Sequence, residues 1–253
     1  LFCKYWPDYD GKIYLNTETK TFNYKNLNII SVQNRLKNGT WSQCLEYAVK
    51  NIDEEYFIYL QEDYFFHNKV DHRKIIYFFD IFKTNKIDCL HLTDQCSGGP
   101  FNTTDLSEEI WEFSNNASYR ISTQAAFWKK SMILNVLRSW ESGWDFEKFG
   151  TKRTIKRPFK IMTINHDTYK ENHNELIPYI FTGIIKGKWK KEVVQLFDDH
   201  EIRIDYLLRG FSEAKQNNIL IQKTQSLYNL IYAHIKNFYM EKKLMLINKF
   251  NIF

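Results

Sequence analysis

Cysteine is scarce. Four residues in 253 (Cys3, Cys44, Cys89 and Cys96), none in C-x-x-C spacing, exclude a disulfide framework and make neither a zinc site nor, at Cys44 with the chain's histidines, a nucleophile constellation. A reducing, cytosolic setting is the simpler reading. No apolar run approaches the roughly 18–20 residues that span a bilayer. No secretory leader opens the chain either: it starts abruptly at Leu1 with LFCKYWPDYDGKIYLN, as a fragment would. G-x-S-x-G, P-loop and H-E-x-x-H motifs are absent, as are repeats and low-complexity segments. Sequons begin at Asn38, Asn102 and Asn116, but an Asn-rich chain produces these by chance.

Excess charge is also small and unevenly placed. The net charge is +5, and residues 211–253 hold six lysines against two glutamates, leaving about +1 for the rest. That distribution excludes a generally basic nucleic-acid binder and describes a near-neutral domain with a basic tail. Aromatic residues, by contrast, are abundant at 17%. With Lys, Asn and Ile they dominate the composition, a bias that points to an AT-rich genome as much as to any function.

Strand-like and helical segments alternate through the first half. KIYLN (12–16) and NIISV (28–32) read as strands. WSQCLEYAVKNI (41–52) reads as a helix with Leu45, Ala48 and Ile52 on one side and a cap at Thr40 or Ser42. YFIYLQ (56–61) is a continuous apolar run, expected for a strand buried on both faces. DHRKIIYFFDIFKTN (71–85) returns to helix, with Asp71 near its start, and IDCLHL (87–92) to strand. This rhythm predicts an α/β fold with an open, mostly parallel sheet. QCSGGPFNTT (95–104) is the clearest loop. WEFS (111–114) and YRISTQAAF (119–127) follow as strands, then a helix over 129–140. Later elements are FKIMTI (159–164), the β-rich IPYIFTGIIKG (177–187) and a helix over 188–199. From about 211 the chain becomes a helical tail free of glycine and proline.

The run YFIYLQEDYFF ends its strand on two adjacent carboxylates, Glu62 and Asp63. Ligands in open α/β sheets bind beyond the carboxyl ends of the strands, and hard divalent cations take carboxylate and phosphate oxygens. The pair therefore suits a metal–diphosphate corner; the alternative is a solvated strand end.

WSQCLEYAVKNIDEEYFIYLQEDYFF resembles a pattern of GT-A-fold bacterial glycosyltransferases of the family-2 type. There a helix opening W-S-x-x-L precedes a strand ending in an acidic motif. YRISTQAAFWKKSMI (119–133), ESGWDFEKFGTKR (141–153), YIFTGIIKGKW (179–189) and IRIDYLLRG (202–210) continue the likeness in order, over roughly residues 5–210. Two departures stand out. Gln61 occupies the first Asp position of a D-x-D alignment and Glu62 that of a D-D alignment, so Asp63 alone matches both. In addition, the usual first nucleotide-holding strand, turn and helix are not recognisable before residue 5.

What the resemblance implies is a sugar transfer from a nucleotide diphosphate-sugar to a saccharide or lipid-linked acceptor in bacterial surface-polysaccharide assembly, inverting the anomeric centre. Mn²⁺ or Mg²⁺ would be held by Asp63, with Glu62 as second or outer ligand. Glu147 or Asp145 would serve as general base and Trp144 would stack on a sugar face; an acidic helical turn with a core tryptophan is the competing reading. Trp41, Ser42, Ser122 and Gln124, the last two beside Thr123, fall in the segments assigned to substrate. Arg153, in the basic run with Lys152, Lys156 and Arg157, and Lys188 or Lys186 would meet phosphates, unless they form only a solvated charged face. The glycines of GIIKGKW permit close backbone approach. His166 is a lesser candidate for the metal.

Two other functions remain open. One is a metal-dependent phosphoryl or nucleotidyl transferase using the same acidic pair. The other is a non-catalytic saccharide-binding or scaffolding protein on a degenerate GT-A fold. In the tail, Leu227, Leu230, Ile231, Ile235 and Phe238 share a helical face flanked by lysines. That pattern is expected either to pack on protein or to lie on an anionic membrane, which would make the protein cytoplasmic and peripheral at the inner face.

Overall fold

A computed structural model describes residues 1–25, 27–155, 157–212 and 219–250. The chain divides into two units, Leu1–Phe211 and Ser212–Phe253.

The first unit opens with a one-turn helix α1 (Phe2–Tyr5). Strands β1 (Ile13–Thr17) and β2 (Ile29–Gln33) pair in parallel as a separate two-stranded sheet. Helix α2 (Trp41–Lys50) starts where Thr40 accepts from the Gln43 backbone N–H, while the Gln43 side chain accepts from the Thr40 N–H. This reciprocal cap satisfies two backbone donors that the first turn leaves open. Strand β3 (Tyr56–Tyr59) follows, then α3 (His72–Thr84), capped by Asp71, then β4 (Cys89–His91).

Strands β5 (Phe101–Thr103) and β6 (Ile110–Phe113) form a hairpin. Next come β7 (Ala126–Lys129), α4 (Lys130–Val136), α5 (Gly143–Thr154) and β8 (Ile161–Ile164). A short ribbon of β9 (Ile184–Ile185) and β10 (Lys188–Trp189) precedes α6 (Glu192–Asp198). The second unit contributes α7 (Ile219–Phe250).

The central sheet has six strands in the order β3-β7-β4-β8-β6-β5. It is mixed rather than mostly parallel, a correction to the sequence expectation: only β4 and β8 run parallel, and the other four pairings are antiparallel. The reason is topological. The chain does not cross over from β3 to a parallel neighbour; β7 arrives later and inserts between β3 and β4, reversing direction against both. A second correction follows from the same order. As an end strand, β3 is half-buried along its length instead of buried on both faces.

Alternation along the inner strands builds two cores, one on each face. Leu90, Phe127 and Met162 point toward Ile75, Phe78 and Phe82 of α3. Their sequence neighbours Cys89, Ala126, Trp128 and Ile161 point the other way, toward Leu45 and Val49 of α2, Met132 and Ile133 of α4, and Phe146 of α5. The result is an α/β layer structure with a helix-covered sheet. A third cluster, Trp189, Val193, Leu196 and Phe197, packs under Phe65.

Two further expectations change. The strand foreseen over 119–127 is confined to its last two residues and continues to Lys129, because 119–125 turns instead of extending. The helix foreseen over 129–140 stops at Val136, and α5 begins seven residues later.

Candidate active site

The acidic pair sits in a turn directly after β3. Glu62 is exposed, whereas Asp63 is 7% exposed. From Asp63 the chain runs antiparallel to 178–183: the His67 N–H donates to the Pro178 carbonyl, Ile180 N–H to Phe65, and Gly183 N–H to Asp63 at 2.9 Å. That pairing brings the Thr182 hydroxyl to Asp63 Oδ2 at 2.5 Å and the Ile184 N–H to the same oxygen at 3.2 Å. Oδ1 takes neither bond. Gly183 makes the approach possible, since a Cβ there would lie 2.3 Å from the Phe65 ring and 3.1 Å from the Asp63 carbonyl. The close-approach role foreseen for a glycine of GIIKGKW is found at this position.

On the other side of the strand end, segment 122–124 is a buried turn held by side chains from neighbouring elements. Glu147 Oε1 accepts from the Thr123 N–H (2.7 Å), the Thr123 hydroxyl (2.8 Å) and the Ser122 hydroxyl (3.4 Å). The Thr123 carbonyl accepts from the Tyr64 hydroxyl at 2.9 Å and from Gln61 Nε2 at 3.3 Å. Tyr179 donates to Gln124 Oε1 at 2.9 Å, and its ring stacks on Tyr64 with centroids 4.4 Å apart. Gln61 and Tyr64, on either side of the acidic pair, and Glu147 of α5 therefore meet at Thr123, while Tyr179 of the 178–184 segment holds the next two residues, Gln124 and Ala125.

Tyr59 lies at this junction too. Burial, followed by the charges of Glu62, Glu147 and Asp63, raises its phenol above the usual range. Burial raises Tyr64 and Tyr179 likewise, so all three hydroxyls stay protonated donors at neutral pH.

The remaining sequence candidates have other places. Asp145 closes the N-terminal cap of α5: it accepts from the Ser142 hydroxyl at 2.9 Å, and Ser142 accepts the Asp145 N–H. Trp144 is 75% exposed and three residues before Glu147, on the same side of the helix. Trp41 packs on Phe146 with centroids 5.4 Å apart and against Gly143, joining α2 to α5. Ser42 is fully buried beside it, its N–H donating to the Glu141 carbonyl.

Arg153 is held in a fork with the buried Glu141, at 2.8 and 2.6 Å. Burial outweighs this partner and raises the Glu141 carboxyl. Lys152 and Arg157 are exposed, the latter bonded to Asn135; Lys156 lies outside the described residues. Lys186 and Lys188 are exposed on the turn after Thr182. His166 bonds the Thr163 hydroxyl at 2.8 Å and packs edge-to-face with Phe101, in the β5–β6–β8 half of the sheet; burial lowers it to about 4.

Sequence reasoning missed Tyr59, Tyr64, Tyr179 and Thr182. Only the aromatics flanking the acidic pair hinted at the first two. Among the described residues, no group of three or more His, Cys, Asp or Glu is placed to hold a metal ion. A cavity of about 480 Å³ lies elsewhere, between Leu1–Lys4 and the 22–27 segment, and contains none of the residues above. Comparison with protein-family models, with curated proteins and with solved structures finds no match to this chain.

Proposed function

We propose that the protein is a glycosyltransferase, of GT-A type and cytoplasmic, that moves a sugar from a nucleotide diphosphate-sugar to a saccharide or lipid-linked acceptor in bacterial surface-polysaccharide assembly. The observation that carries this reading is the convergence on Thr123. The segment bearing Asp63 and the helix bearing Glu147 are bonded to opposite ends of one residue, the Tyr64 hydroxyl to the Thr123 carbonyl and the Glu147 carboxylate to the Thr123 N–H. A transfer reaction needs an acidic donor corner and an acceptor base within one substrate's reach, and this junction supports both.

Glu147 uses Oε1 to fix the 122–124 turn, and Oε2 takes no part in those bonds. In the proposed single displacement, that oxygen accepts the proton of the acceptor hydroxyl as its oxygen bonds the anomeric carbon and the nucleoside diphosphate departs. Trp144, exposed beside it, offers a flat face to a sugar ring. Lys186 and Lys188 add positive charge on the donor side.

The donor set fits a hard divalent cation in the limited sense that Mg²⁺ and its like need only one or two protein carboxylates alongside water and phosphate oxygens. Asp63 through Oδ1, with Glu62, would hold Mn²⁺ or Mg²⁺, whose chemistry is to neutralise the diphosphate.

A second reading is a non-catalytic saccharide-binding protein on the same scaffold. It is favoured by the structural use of Asp63 Oδ2, which accepts from the Thr182 hydroxyl and the Ile184 N–H. Incubation with a panel of nucleotide sugars and Mn²⁺, followed by nucleoside diphosphate release, tests both. Release that is lost in chelator and in Asp63→Ala supports the transferase. Saccharide binding without release from any donor supports the second reading, and undiminished turnover in Asp63→Ala removes the metal role.

A further inference from the structure

The second unit, taken by itself, carries a helix of 32 residues, α7, about 48 Å long. Large apolar side chains stand exposed along it: Leu227, Ile231, Ile235, Phe238, Tyr239 and Met245 are each at least half exposed. At roughly 100° per residue these six share one broad arc. Ala233, Asn237 and Leu244 lie on the opposite side of the helix. Exposed apolar area of this extent marks an interaction surface.

Charge decides what the arc accommodates. Over its length α7 holds five lysines (Lys223, Lys236, Lys242, Lys243 and Lys249) against one acid, Glu241. Lys242 and Lys249 fall within the apolar arc itself. A second copy of the helix would bury those ammonium groups in an apolar seam and set like charges against each other, which is costly. A bilayer surface lowers both costs, because lysine stems lie along the apolar face while their ammonium groups reach up to the headgroups. The helix is not a span: none of the described helices is long and apolar enough to cross a membrane. It can lie in the plane of the interface.

We propose that α7 is a docking surface for an anionic lipid bilayer, with Ile235, Phe238 and Met245 entering the acyl boundary and Lys242 and Lys243 meeting phosphate headgroups. The test is co-sedimentation of the full chain with vesicles of phosphatidylcholine alone and of equal parts phosphatidylcholine and phosphatidylglycerol, at low and high salt. The protein partitions onto the anionic vesicles, little onto the neutral ones, and less in high salt. Lys242→Glu with Lys243→Glu lowers partitioning on the order of 30-fold or more. Ile235→Ser with Phe238→Ser lowers it as well, with far-ultraviolet circular dichroism of both double variants unchanged. Equal partitioning onto the two vesicle types, or onto neither, overturns the proposal. So does a lysine variant that binds as the parent does, or a stable dimer in sedimentation velocity that buries the same face. Vesicle binding is read without turnover, so this result is independent of the transferase reading.

Discussion

Glu147 holds Thr123 by both its backbone N–H and its hydroxyl, through a single carboxylate oxygen. Under the proposed mechanism, catalysis and architecture meet in this one side chain, and substitution separates them. Glu147→Gln keeps an oxygen acceptor for the turn but cannot take a proton. It unfolds within ~1 kcal/mol of the parent, while nucleoside diphosphate release falls on the order of 100-fold or more. Glu147→Ala strands the buried donors of the 122–124 turn and loses ~2–3 kcal/mol. Urea unfolding and donor turnover, measured on both variants, check this; full activity in the glutamine variant would leave Glu147 a purely structural residue.

Gly183 lets two chain segments touch beside Asp63. A methyl group there collides with the Phe65 ring, and Phe65 in turn packs on Phe197 with centroids 4.9 Å apart. Gly183→Ala therefore costs ~1–3 kcal/mol and also loosens the Thr182–Asp63 bond. The expected outcome is a lower urea midpoint together with reduced turnover. A midpoint equal to that of the parent would show that the Phe65 ring moves aside freely.

Glu141 and Arg153 form a buried fork that joins the start of α5 to its last turn. Arg153→Ala leaves a carboxylate at zero exposure without its partner, and costs ~3–5 kcal/mol. Replacing both residues with leucine costs less than the single change, since no charge is left behind. Chemical denaturation of the single and double variants tests the pair. If Arg153→Ala lowers turnover at unchanged stability, phosphate binding is its main role instead.

Glu175 provides a pH signature. Burial first, with the charges of Glu171 and Asp94, raises its carboxyl to about 7. Its neighbour His67 is 3.6 Å away, but burial lowers that imidazole, so it offers little charge at neutral pH. The folded chain thus keeps a proton that the unfolded chain releases near pH ~4.3. Stability consequently falls as pH rises from there to about 7, and the loss is complete above it. Glu175→Gln removes the loss: at pH 8 it is more stable than the parent by ~2–3 kcal/mol, and near pH 4 it is not. His91 and His166, both lowered to about 4 by burial, act in the opposite sense by costing stability as pH falls below about 6.5. Both are common to parent and variant, so the difference between the two urea curves isolates Glu175.

Local features were the legible part of this fold. Thr40 and Asp71 announce α2 and α3 because capping is a contact over three residues, and the period of Leu45, Ala48 and Ile52 marks the buried side. The cap of α5, Ser142 with Asp145, carries the same kind of signal, and it assigns Asp145 a local duty before any catalytic one. Strand order was not legible. Nothing within YFIYLQ says that its partner lies at 126–129 or that the pairing is antiparallel. The 119–125 segment reads as strand because its residues suit one. It turns because Glu147, Tyr64 and Tyr179 supply the bonds that a sheet neighbour would otherwise make. The site followed the same division: Asp63 and Glu147 were visible as residue types, while Tyr179 and Thr182, more than a hundred residues downstream of Asp63, were not.

The insertion of β7 between β3 and β4 has a consequence for the newborn chain. In the six-stranded sheet β3 pairs only with β7, which begins about 70 residues later. At ~5–20 residues per second of synthesis, the run Tyr56–Tyr59 waits several seconds with its backbone donors and acceptors unmatched. β4 waits less, but for the same strand. The arrival of Ala126–Lys129 therefore joins β3 to β4, and β8, later still, joins that half to the β5–β6 hairpin; until Ala126–Lys129 emerges the ribosome-bound chain presents two hydrophobic strand edges to chaperones and to neighbouring chains.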